Sequence, residues 1–178
     1  MSMPNPKKTA VRVQKVRLYP DVEMKQVLDE LCDYRRYCWN EALALWNDMY
    51  EQSLILDDRK SRPSEYMVRN ELVAEKQDWQ YALSARVLQL SVSDLNKAFR
   101  NFFDKAQTDW GKPKFKSKKA PRQGFKTDRA RIVNGKLLLD RPNESRHKKK
   151  WTAIPFKGAK SLEGDLKVVS VYRENGRY

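Results

Sequence analysis

Between residues 111 and 126 the chain reads GKPKFKSKKAPRQGFK, a stretch with seven Lys or Arg and no carboxylate. Lys112, Lys114, Lys116 and Lys118 recur at every second position, while Gly111, Pro113 and Pro121 forbid a regular helix. Extended lysines can follow the phosphates of a nucleic-acid backbone, and Lys119, Arg122, Lys126 and Thr127 continue the candidate binding run. Phe115 stands among them and is read as an anchor on the fold, the alternative being a ring that stacks on a base. A second set lies upstream, where Arg86, Gln89, Ser93, Asn96 and Arg100 fall at three-four spacing. Amides pair bidentately with adenine edges and arginine with guanine. The competing reading is a plain solvated helix face, but such faces interleave both signs and these five positions hold no Asp or Glu.

The charge is unevenly placed. The net charge is +14, yet residues 1–107 carry 17 Lys/Arg against 16 Asp/Glu, and residues 108–178 carry 20 against 7. A near-neutral part followed by a strongly basic one points to a polyanion partner, nucleic acid first. No run of apolar residues is long enough to span a membrane, and the N-terminus MSMPNPKKTA lacks the apolar core of a secretory signal. Two cysteines and one histidine argue against a disulfide scaffold or a metal site, so neither cofactor nor metal is expected and the setting reads as cytoplasmic.

Catalytic chemistry is hard to find. A two-metal nuclease needs several carboxylates converging on one site. In the basic part Asp109, Asp128, Asp140, Glu144, Glu163, Asp165 and Glu174 are scattered. No phosphate-binding glycine loop or nucleophile triad is present, and His147 sits in the basic stretch RHKKK, where it reads as solvated. Catalysis by this chain is not expected.

The elements that must position these residues follow from periodicity. Residues 11–19 alternate as a basic strand that Pro20 closes. Asp21 occupies an N-cap position before a long helix with Val27, Leu31, Tyr34, Cys38, Ala42, Leu45 and Met49 on one stripe. Cys32 and Cys38 are read as small packing residues. Residues 53–63 break the pattern, Ser64 and Glu65 open a second helix, and Asp78 caps a short one. Ser84 begins a third substantial helix with an apolar stripe of Leu88, Val92, Leu95, Phe99, Phe102 and Ala106, so that the polar set 86–100 faces outward. Beyond residue 125 short strands alternate with turns, including Asn134-Gly135. Asn175-Gly176 is a second hairpin signal with only Arg177 and Tyr178 behind it, which reads as a fold that continues elsewhere. The class is α+β: a first barrel strand in 1–20, a helical block in 21–107, and a basic linker with the rest of a small β-barrel in 108–178.

Four stretches in series carry a family resemblance: VRLYP, YRRYCWNEAL, DLNKAFRNFF and GKPKFKSKK. They fall on Arg17–Pro20, Arg36–Asn40, Ala98–Phe103 and Gly111–Lys116. The chain from Val11 onward resembles the N-terminal region of the TnpB (OrfB) family, transposon-encoded RNA-guided nucleases related to type V CRISPR effectors. The resemblance implies a helical recognition lobe inserted into a wedge β-barrel, gripping a guide RNA and reading a short motif in double-stranded DNA. It places Gln89 where relatives carry a motif-reading polar residue, while Arg86 departs from them. It also implies that a RuvC-type nuclease lies outside this chain. Two rivals remain: a helix-turn-helix DNA binder acting without RNA, and a non-functional insertion-sequence remnant.

Overall fold

In the computed structural model, residues 11–106, 109–143, 150–159 and 164–178 are described. The readings made for residues 1–10, Glu144, His147 and Glu163 fall outside them.

From Val22 to Arg62 there is neither proline nor glycine, so nothing interrupts a helix once it starts. Asp21 starts it, its Oδ1 accepting the Met24 N–H at 2.7 Å, and helix α1 runs over Val22–Ile55. It passes the expected break at residue 53 and stops where Asp57 adopts a φ of 50°. Helix α2 (Glu65–Ala74) is capped by Ser64, whose Oγ accepts from Met67 N–H at 3.3 Å. Helix α3 (Asp78–Tyr81) is capped by Gln77 rather than by Asp78. Helix α4 covers Ala85–Phe103, so Ala106 falls beyond its end, and Phe102 and Phe103 at its last turn are exposed.

The core joins α1 to α4. Leu28, Leu31, Cys32, Cys38, Ala42 and Leu43 of α1 are buried, as are Leu88, Val92, Leu95 and Phe99 of α4. Trp46 stacks on Phe99 with centroids 4.7 Å apart. Fully burying each large apolar side chain contributes about 1.5–3 kcal/mol. Cys32 and Cys38 are free and buried, and burial pushes both thiols up to about 12, as packing residues should show.

The strands are short. Strand β1 is only Arg17–Leu18, and Val11 and Val13 upstream are 83% and 92% exposed, so the expected strand 11–19 shrinks to two residues. Strands β2 (Arg122–Thr127), β3 (Ala130–Val133), β4 (Lys136–Leu139), β5 (Ile154–Lys157) and β6 (Val169–Glu174) follow the helices. One antiparallel sheet has the order β1-β5-β4-β3 and the other pairs β2 with β6 over Arg122↔Glu174 to Thr127↔Val169. The Asn134-Gly135 turn forms with φ values of 50° and 69°, as its residue types demand. Asn175-Gly176 turns likewise, after which Glu174 and Arg177 exchange backbone hydrogen bonds and Tyr178 C=O accepts from Leu18 N–H at 3.2 Å.

The α+β class therefore holds, and among the described residues all four α-helices lie in sequence between β1 and β2. The described strands form two small sheets and not a closed barrel, because ladders of two to six residues leave the edges of β2 and β3 unpaired with each other. Phe125, Leu137, Ile154 and Val171 from the strands share one core cluster with the helices.

Candidate nucleic-acid interface

The lysine segment after α4 has no ladder, yet its backbone is tied down. Asn40 of α1 serves it twice: Lys116 N–H donates to Asn40 Oδ1 at 2.8 Å, and Asn40 Nδ2 donates to Lys116 C=O at 3.1 Å. An amide side chain holds one donor group and one acceptor, so it can replace a neighbouring strand at one residue. One residue earlier on α1, Trp39 Nε1 donates to Lys114 C=O at 2.9 Å. Further on, Gln123 Nε2 donates to the carbonyls of Ser117 and Ala120, each at 3.0 Å.

Fixing the backbone this way decides where the side chains go. Lys112, Lys114, Lys118 and Lys119 are exposed, while Lys116 turns inward with its Nζ 4.3 Å from the centre of the Trp39 ring. Desolvation lowers the Lys116 ammonium below its usual value, with Arg35 nearby adding to the effect. Phe115 is 60% exposed. It is not the anchor; Trp39 and Asn40 are, because polar bonds to the segment's carbonyls fix an extended backbone better than one ring.

The remaining members of the run diverge. Arg122 is exposed and lies 3.9 Å from the centre of the Tyr172 ring, across the β2–β6 ribbon. Tyr172 rests over Gly124, where a Cβ would stand 2.6 Å from the ring, so only glycine admits this stack. Lys126 is half-buried and pairs with Asp94 of α4 at 2.7 Å. Thr127 is buried and its Oγ1 accepts from Arg129 N–H at 3.0 Å, which makes it a turn former facing inward rather than a surface group.

The polar side of α4 is also less open than its spacing implies. Arg86 Nε donates to Asp128 Oδ1 at 2.7 Å, and its terminal nitrogens bond Asp128 Oδ2 and Gln89 Oε1. This hydrogen bond from Arg86 is the main cause of an Asp128 carboxyl held below its usual range, and it raises Arg86 in turn. On the other flank Asn96 Nδ2 donates to Glu65 of α2 at 3.1 Å. Arg86, Gln89, Ser93 and Asn96 are half-buried, and Arg100 is exposed. The expected outward line is thus a shallow seam between α2 and the β2–β3 turn, with internal partners on both sides.

Sequence reasoning gave Trp39, Asn40, Arg35, Asp94 and Tyr172 no site role, although the first four lie in the stretches YRRYCWNEAL and DLNKAFRNFF. The signal for the first two was a Trp-Asn pair on the core side of an otherwise apolar helix stripe. An amide there needs a partner, and the partner proved to be 76 residues away in sequence. Among the described residues no three His, Cys, Asp or Glu side chains gather as a metal ion requires, and no helix is long and apolar enough to cross a membrane.

Clustered basic residues on one face are the electrostatic footprint that nucleic-acid binders share. Residues 11–54 match the family model of the helix-turn-helix domain of OrfB proteins from IS605-type elements. Over these residues the chain is similar to that domain, in keeping with the resemblance of its N-terminal region to the TnpB/OrfB family. The matched residues fold as β1 and nearly all of α1, one strand and one continuous helix. No curated protein matches the chain.

Proposed function

We propose that this chain is a nucleic-acid-binding module of the TnpB type, holding a guide RNA and a short motif in duplex DNA. The observation that carries the reading is the segment of residues 112–119. Its backbone is fixed by Trp39, Asn40 and Gln123, and four of its lysines point to solvent. A fixed row of cations loses less conformational freedom on binding than a free tail would. Lys112, Lys114, Lys118 and Lys119 follow phosphates in this reading, with Arg122 and Phe115 offering flat surfaces to bases. The seam of α4 faces the DNA motif, where Gln89 and Arg86 read base edges and Arg100 meets a phosphate. In this reading the helices between β1 and β2 serve as the recognition lobe and the two small sheets serve as the wedge. Cleavage is assigned to no residue of this chain.

The test is binding of the purified chain to a labelled DNA duplex and to RNA co-purified from the source cells, across a salt series. A steep fall of affinity with ionic strength that softens when the strap lysines are replaced supports the reading. A chain that binds duplex but no RNA would leave the RNA-independent DNA binder standing instead. Affinity for neither would remove the proposal.

A further inference from the structure

Where the lysine strap meets the helices, α1, β2 and the strap itself bring three cations around Asp94 of α4. Lys126 Nζ lies 2.7 Å from Asp94 Oδ1, and Arg35 Nη2 lies 3.5 Å from Asp94 Oδ2. Arg35 and Lys116 both sit on the indole of Trp39, at 5.2 and 4.3 Å from its centre. The side chains of Arg35 and Asp94 are only 19% and 16% exposed. Partly buried charge is costly unless it is matched, and here one anion faces three cations. Trp39 offsets part of the excess through its ring face, but its quadrupole supplies no full charge. Counted over these four side chains the cluster is short of an anion, and one of its cations, Lys116, is a residue of the strap.

We propose that Arg35, Lys116 and Lys126 seat one phosphodiester of the bound nucleic acid, with Asp94 as the positioning carboxylate that aims two of them. The proposal rests on the nucleic-acid reading of the strap and sharpens it: one phosphate among those along the strap is held in a half-buried seat and contributes more than its neighbours. A guanidinium and two ammonium groups fit the tetrahedral oxygens of a phosphate, whereas a base edge offers no such charge. Asp94 remains in place when the phosphate arrives. The two anions then repel, and the seat is tuned below its full strength.

The experiment measures the affinity of the full chain for a labelled DNA duplex and a labelled RNA hairpin over a salt series. It compares Lys116→Gln, Lys126→Gln and Asp94→Asn with Lys118→Gln, an exposed strap position, and checks each variant for a native melting transition. Lys116→Gln and Lys126→Gln are expected to weaken binding about tenfold, and each lowers the log–log slope by about 0.7–0.9. Lys118→Gln lowers the slope equally but weakens binding only a few-fold. Asp94→Asn tightens binding several-fold, because a repelling neighbour of the phosphate is gone. The preference between the two probes shows whether DNA or RNA supplies the phosphate. Unchanged slopes in Lys116→Gln and Lys126→Gln, with Lys118→Gln flattened, would overturn the seat and leave the strap intact. Asp94→Asn binding no more tightly than the unaltered chain would also overturn it. A flat slope for the unaltered chain would instead overturn the underlying nucleic-acid reading. Should a charge removal unfold the protein, Lys126→Arg, which keeps the charge, must retain binding.

Discussion

Two basic regions of the molecule solve opposite problems. Along the strap of residues 112–119 the backbone is bonded to Trp39, Asn40 and Gln123, and most lysine side chains are left to solvent. Along the polar seam of α4 the backbone is satisfied by the helix itself, and the side chains are bonded to Asp128 and Glu65. The strap thus offers charge at fixed positions with little to displace. The seam offers groups whose geometry is set in advance, at the cost of exchanging internal partners when something docks. Indifferent phosphate binding suits the first and discrimination suits the second, since a carboxylate-held arginine has few orientations left.

The largest expected effect comes from stripping the strap. Replacing Lys112, Lys114, Lys116 and Lys118 together by Ala should flatten the salt dependence of binding by about three, at roughly 0.7–0.9 per contact. The same measurement on the variant lacking Arg100 should change it by about one at most. A reversal of that ranking would break the contrast.

Next is Asn40→Ala, which removes no charge. It deletes both bonds to Lys116 and should lower stability by about 2 kcal/mol in urea unfolding, at about 1 kcal/mol per bond. It should also weaken nucleic-acid binding although every lysine remains. Full affinity in a folded Asn40→Ala protein would show that the lysines need no fixed backbone.

On the seam, Gln89→Ala should cost about 1–3 kcal/mol for the preferred DNA motif and much less for scrambled DNA. Equal losses on both would leave α4 in contact but without a reading role. Arg100→Ala should weaken all sequences alike by less than about 1 kcal/mol.

The smallest effect concerns acid. Asp128 is lowered chiefly by its hydrogen bond from Arg86. A depressed carboxyl stabilises the fold fully above its unfolded value of about 4 and loses that contribution as pH falls through the folded value. Asp128→Asn should therefore flatten the melting temperature profile slightly below about pH 4, and a profile unchanged by it would mean the pair is not held in solution.

Much of this molecule could be read from residue types alone. Asp21 and Ser64 as caps, the Asn134-Gly135 turn, the core stripe of α1 and the start of α4 all follow from local rules in which a residue and its near neighbours decide the outcome. The concentration of positive charge after residue 108 needed only counting. Tertiary structure decided what these groups meet. Spacing placed Arg86 and Thr127 in a binding set, but only folding could bring Asp128 across 42 residues to hold the one, and turn the other inward. Phe115 had the apolar surface of an anchor, yet the anchor is an amide and an indole from a helix 75 and 76 residues away. Periodicity reports which face of an element is apolar. It is silent on which distant polar group completes a hydrogen bond, because that depends on how elements pack and not on the order of residues within them.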